Sequence, residues 1–158
     1  IAGLLSEYFT EMVDIIFAHG GTLDKFIGDA IMALWGAPIG HADDPDRAMQ
    51  AAIAMQRAIA ALNAKWEAQG RPLVNVGIGI NYGETFAGNI GSHLRLEYTV
   101  IGDAVNVASR LCSNAHGGEI LISDPLYQVL KQKPSVNARA PLVVKNRAQA
   151  VSVWSVVV

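Results

Sequence analysis

Cysteine is nearly absent. The chain holds one, Cys112, so no internal disulfide can form, and the composition suits a reducing compartment. No apolar run approaches the ~20 residues of a membrane span, so no membrane insertion by this segment is expected. A signal-peptide pattern is missing too, because the first residues already read as an amphipathic helix. Charge of one sign is not in excess. Twelve Lys and Arg oppose fourteen Asp and Glu, for a formal net charge of −2. Without a long basic run, that balance gives no reason to expect nucleic-acid binding.

Several chemistries lack their patterns. No phosphate-loop signature occurs, and no strand-to-helix dinucleotide fingerprint. The histidines His19, His41, His93 and His116 are scattered near glycines and turns, without zinc-ligand spacing. No nucleophile elbow supports serine-hydrolase chemistry. Trp35, Trp66 and Trp154 read as core or interface residues rather than a base-stacking platform.

What is present is one ordinary domain's worth of chain, 158 residues of which 51% are apolar, enough for a sizeable core. Leu4, Leu5, Tyr8, Phe9, Met12, Ile15 and Ile16 recur at helical spacing over 1–18, and Gly20-Gly21 ends that helix. The runs 22–27 and 30–35 are strand-like, and Gly28-Asp29 between them signals a tight hairpin. Asp43 and Asp44 can cap a long helix to about Ala68, with Pro45 in its first turn. A strand is expected over 73–80, where Gly77 and Gly79 suggest close backbone approach. Gly83 then turns it into a partner strand over 84–90. Residues 91–93 read as a loop, 96–101 as a strand and 103–111 as a helix capped by Asp103. A short strand at 120–122, a small helix from Ser123 and strands at 142–145 and 150–157 complete the chain. Helices and antiparallel hairpins alternate, which defines an α+β class.

Two segments could carry chemistry. In the first, 24–30, Asp29 sits at a hairpin tip and is a candidate hard-oxygen ligand for magnesium. A simple turn aspartate is the common alternative, and Lys25 beside it can equally be a solvated strand lysine. In the second, 97–110, a strand and glycine turn lead into a helix. Asn106 and Arg110 are four apart and share one face. An amide there can fix a sugar oxygen, and a guanidinium can offset charge on a phosphoryl group. The pair could also make only a helix-local contact. The turn at Lys145-Asn146-Arg147 could approach phosphates or simply be solvated.

Residues 21–38 (GTLDKFIGDAIMALWGAP), 76–92 (VGIGINYGETFAGNIGS) and 96–111 (LEYTVIGDAVNVASRL) together resemble three consecutive signatures of class III nucleotide cyclases, in family order and spacing. The tail matches less closely: Asn146 stands where glycine is common and Ala150 where proline is common, and Tyr82 replaces a smaller residue. The resemblance implies one catalytic domain over 1–158 with a ferredoxin-like core, lacking its N-terminal strand. It implies a head-to-tail homodimer with sites shared at the interface. It assigns Asp29 to metal binding, with a second aspartate upstream of Ile1. Lys25 corresponds to the base-reading lysine, Thr99 to its polar partner and Asn106 to the ribose-orienting asparagine. Arg110 corresponds to the transition-state arginine, and Lys145 is similar to a triphosphate-binding lysine. Threonine at position 99 resembles a bacterial subgroup of the family.

The activity so implied is adenylyl cyclase, ATP to cyclic AMP, with two ions of Mg2+ or Mn2+ per intact site. Guanylyl cyclase, disfavoured by Lys25, and a non-catalytic dimerising module are the alternatives. Expected partners are ATP, a second copy and upstream sensor or regulatory domains. The expected location is the cytoplasm, with the parent either soluble or anchored to a membrane. Little turnover is expected of the fragment alone.

Overall fold

In the computed structural model, residues 2–92, 95–144 and 149–158 are described, with the backbone alone for Ala2 and for the described part of 90–99. Helix α1 (Ala2–Ala18) leads into the hairpin β1 (Thr22–Ile27) and β2 (Ala30–Leu34). Then come α2 (Asp44–Ala68), β3 (Ile78–Ile80), β4 (Phe86–Ser92) and β5 (Arg95–Ile101). Helix α3 (Asp103–Asn114), β6 (Ile120–Ser123), α4 (Asp124–Val129), β7 (Val136–Leu142) and β8 (Val151–Val156) follow. The class is α+β, as the alternation in the sequence implies. Strands β1 and β2 pair antiparallel, as do β4 and β5, and the order β3-β6-β8-β7 forms a four-stranded sheet.

Burial follows the sequence periodicity. Leu4, Tyr8 and Met12 of α1 bury one stripe against Ile59 and Trp66 of α2. Ile31 of β2 packs on that cluster. The other end of α2 places Met49 and Ala52 on Ile120, Ile122, Leu126 and Val156, with Ile78 and Ile80 of β3 alongside. Thus α2 covers both β2 and β3. These two strands each leave an outer edge unpaired among the described residues.

Glycine sets the fit of α3 on β3. A Cβ on Gly79 would lie 2.7 Å from Leu111 Cβ and 2.8 Å from Ala108 O, with the Cys112 amide nitrogen nearer still. Backbone atoms cannot swing away as a side-chain tip can. Gly79→Val is therefore expected to cost about 2 kcal/mol through overpacking, measured by urea unfolding. Unchanged stability would contradict this close approach.

Strand β3 is shorter than the sequence suggests. The expected strand over 73–80 reduces to Ile78–Ile80, because α2 side chains take the preceding backbone groups. Asn63 donates to Val74 O and accepts from Val74 N, at 2.7 and 2.8 Å, and Gln56 donates to Val76 O at 2.8 Å. Nor does β3 pair with the segment after Gly83. It lies parallel to β6, while β4 pairs with β5. Gly91 and Ser92 belong to β4 rather than to a loop, and His93 lies outside the described residues. The penultimate strand is Val136–Leu142 rather than 142–145, and it pairs with β8.

Capping also differs in detail. Asp43 occupies the N-cap position of α2 but makes no side-chain cap. It pairs with Arg47 at 2.9 Å instead, while Asp44 accepts from the His41 amide at 2.6 Å. Gly102, not Asp103, is the N-cap of α3. Ser123 does cap α4, accepting from Leu126 N. Each tryptophan is tied down through its indole N–H: Trp35 to His19 O, Trp66 to Glu7 and Trp154 to Asp124.

One carboxylate fastens the sheet. Glu119 accepts from Arg139 and from Ser155 Oγ, as well as from the His116 amide. Burial alone would push its carboxyl up, but these donors together hold it at about 2, below the usual 4.5. A depressed folded pKa stabilises above the unfolded value and loses that contribution as pH falls through the folded one. The gap in thermal midpoint between the parent and Glu119→Gln is therefore expected to be full at pH 7. It should narrow below about pH 4.5 and close near pH 2. A gap independent of pH would refute this account.

Candidate active site

The β1–β2 hairpin turns at Gly28, whose φ of 62° lies in the left-handed region that suits glycine. This turn leaves Asp29 exposed at the tip. The pairing runs Leu23 to Ala33 and then Lys25 to Met32, so Asp24 is an extra residue that forms a bulge. Beyond the bulge, Lys25 and Ile27 fall on one face of the strand by ordinary alternation.

Helix α3 opens at Gly102, with φ of 139°. It buries Val107 and Leu111 with Leu121, Val144, Val151 and Val153. Positions 106 and 110 form the adjacent stripe one residue back, and both Asn106 and Arg110 are exposed. The α3 amphipathicity thus sets which way the polar pair faces.

The two elements meet at a cavity of about 550 Å³, within the range of small-molecule sites. Lys25, Ile27 and Met32 line it from the hairpin, and Val100, Ile101, Gly102, Asp103, Val105 and Asn106 line it from β5 and α3. The structure therefore brings Lys25 and Asn106 together across 81 positions of sequence. Thr99 precedes Val100 on β5, opposite Gly88. Arg110 is one helical turn beyond Asn106 and outside the cavity lining, as is Asp29. Lys145 lies outside the described residues.

Asp29 is felt within the fold. Burial, then the negative charges of Asp29 and Cys112, push the phenol of buried Tyr8 up. As a hard-oxygen donor at a fixed, open tip, Asp29 suits a magnesium-type ion, which takes one or two protein carboxylates and keeps water and phosphate for its remaining positions. No group of three His, Cys, Asp or Glu able to hold a metal occurs among the described residues.

Sequence reasoning missed the apolar walls, Ile27, Met32, Val100 and Val105. Their signal was available for the hairpin residues, since Ile27 and Met32 share a strand face with Lys25 once the register is known. A smaller cavity of about 230 Å³ lies beside α3, lined in part by Asn81, Tyr82, Glu84 and Asp103. There Asn81 donates to Ala104 O at 3.0 Å and accepts from Ser123 Oγ at 2.6 Å, which ties the end of β3 to α3 and β6.

This fold, with its cavity between a glycine-aspartate hairpin and a glycine-opened helix, has known relatives. The chain belongs to the adenylate and guanylate cyclase catalytic domain family, which matches residues 1–156. It is 32% identical over 159 residues to adenylate cyclase 1 of Rhizobium meliloti, covering 99% of this chain and 24% of that protein. The chain thus spans about a quarter of that relative's length. The crystal structure of the adenylyl cyclase CyaB from P. aeruginosa superposes with a TM-score of 0.90 at 37% identity, covering 99% of this chain and 81% of that one. The guanylyl cyclase Cya2 superposes with the same TM-score of 0.90 at 38% identity, covering 98% and 79%.

Proposed function

We propose that this chain is the catalytic domain of an adenylyl cyclase, which converts ATP to 3′,5′-cyclic AMP and pyrophosphate. The observation that carries the reading is that Lys25 and Asn106 line one cavity. Fold similarity divides evenly between an adenylyl and a guanylyl cyclase, so the base must be argued from the cavity. Adenine offers N1 as an acceptor and its 6-amino group as a donor. Lys25 carries only donors and matches N1, and Thr99 can accept from the amine. Guanine presents an N1–H donor, which would face the lysine unpaired.

In the proposed reaction the ribose 3′-oxygen bonds to the α-phosphorus, the bond from that phosphorus to the bridging oxygen breaks, and pyrophosphate leaves. The 3′-hydroxyl proton passes to solvent. Asn106 orients the ribose, Arg110 offsets charge on the α-phosphoryl oxygens, and Lys145 binds the triphosphate. Asp29 would hold a divalent ion, which when bound supplies Lewis-acid charge to the phosphates and a more acidic 3′-hydroxyl.

Two further features fit a shared site. Asp29 lies outside the lining that unites Lys25 and Asn106, as expected if a second copy supplies it to each site. Phe26, Ile27, Phe86 and Ile101 are large apolar side chains left exposed on the two hairpins, suited to contact with a second copy. The edges of β2 and β3 under α2, unpaired among the described residues, are suited to accept a further strand, and we propose that the second metal aspartate lies on it. The domain is assigned to the cytoplasm, where ATP is supplied. No helix of the described residues is long and apolar enough to cross a membrane, and sensor domains are assigned to the rest of the parent chain.

The reading is tested by supplying ATP or GTP, with Mg2+ or Mn2+, to the protein carrying its natural upstream sequence. Cyclic AMP is the expected product. Cyclic GMP alone would establish the guanylyl reading, and no cyclic product would establish a non-catalytic module. Lys25→Glu is expected to lower kcat/KM for ATP about a hundredfold, because the site would then present an acceptor to N1. An unchanged preference for ATP over GTP would refute base reading by Lys25.

A further inference from the structure

The bulge at Asp24 has a chemical consequence. Successive side chains on a strand ordinarily point to opposite faces, so Asp24 and Lys25 should not meet. Here the register slips between Leu23 and Lys25, and the Asp24 carboxylate comes within 4.0 Å of the Lys25 ammonium. The two side chains differ sharply in environment. The Asp24 side chain is 2% exposed, whereas that of Lys25 is 44% exposed and lines the cavity. A buried carboxylate is fixed in place, while a lysine stem is flexible and rotamer-rich. The fixed charge therefore acts on the mobile one. At 4.0 Å this is an ion pair rather than a direct hydrogen bond, so it biases where the ammonium rests without using up its N–H donors.

We infer that Asp24 is a positioning residue for nucleotide binding: its buried carboxylate holds the Lys25 ammonium at the cavity wall, so that the lysine meets an acceptor atom of the purine already oriented. The inference rests on the proposed reading of Lys25 as the base contact. It goes beyond that reading by assigning part of nucleotide affinity to a residue that never touches the nucleotide. The bulge is then the device that turns an aspartate next in sequence into a neighbour in space.

The test uses the protein with its natural upstream sequence and steady-state kinetics with ATP. Asp24→Asn keeps the shape and removes the charge. The KM for ATP is expected to rise roughly fivefold, with kcat within about twofold, as for a group acting on binding rather than on the transition state. In a Lys25→Met background the same Asp24→Asn change should have no further effect on KM, because the group it positions is gone. Equal effects of Asp24→Asn in both backgrounds, or an unchanged KM, would overturn the inference. If Asp24→Asn does not fold, the pair Asp24→Glu and Asp24→Gln replaces it, since their shapes match and only the charge differs. The Glu variant should have the lower KM, and equal values would overturn the inference. Failure of the underlying reading is separable: Lys25→Met would then leave the KM for ATP unchanged on its own, whatever Asp24 does.

Discussion

Asp29→Ala is expected to abolish cyclic AMP formation, with kcat falling about a thousandfold, the scale of several kcal/mol of Lewis-acid stabilisation. The expectation starts from the hairpin. Gly28 takes the left-handed turn, the flanking strands pair from Thr22–Leu34 to Ile27–Ala30, and the Asp29 carboxylate is presented at a fixed, exposed tip. Removing it leaves the turn intact, because Gly28 rather than Asp29 supplies the unusual backbone angle. Folding should therefore survive, and near-parental thermal stability with lost activity is the signature to look for. Lost stability together with lost activity would assign Asp29 to the turn. Undiminished activity would remove it from the site. Asp29→Glu is a useful companion. It keeps the charge but moves it outward by one methylene, so partial activity that depends strongly on metal concentration is expected.

Much of the scaffold was legible because its signals are local. The stripe Leu4, Tyr8, Met12 marks α1, Gly28-Asp29 marks the hairpin, and Gly79 marks where α3 presses on β3. What could not be read is set by partners distant in sequence. The segment 73–77 has a strand's composition, yet Asn63 and Gln56 on α2 occupy its backbone groups. Strand β3 chooses β6 over the nearer chain because a helix intervenes and favours a parallel crossover. The candidate site divides in the same way. Asp29, Asn106 and Arg110 could be singled out as candidates from residue type and spacing, and Lys25 through the family resemblance. That Lys25 and Asn106 share a cavity, and that a bulge turns buried Asp24 toward Lys25, depends on pairing register, which no single strand's sequence encodes.

Arg110→Ala is expected to lower kcat by roughly a hundredfold to a thousandfold, with a smaller change in KM, because the role proposed for its guanidinium, offsetting phosphoryl charge, acts mainly in the transition state. Its position supports a sharper experiment. Arg110 shares the exposed α3 stripe with Asn106, whose cavity includes Lys25 but not Asp29. If each site takes Asp29 from one copy and Arg110 from the other, the two lesions fall on different contributors. An equimolar mixture of Asp29→Ala and Arg110→Ala chains, allowed to exchange, would form mixed dimers as half of its population. Each mixed dimer would carry one intact site and one site with both lesions. About a quarter of the parental activity should return from two inactive proteins, as statistical pairing in a twofold dimer requires. A site built within one chain would give no recovery at all. The mixture therefore decides how the residues are divided between copies, independently of how large either single loss proves to be.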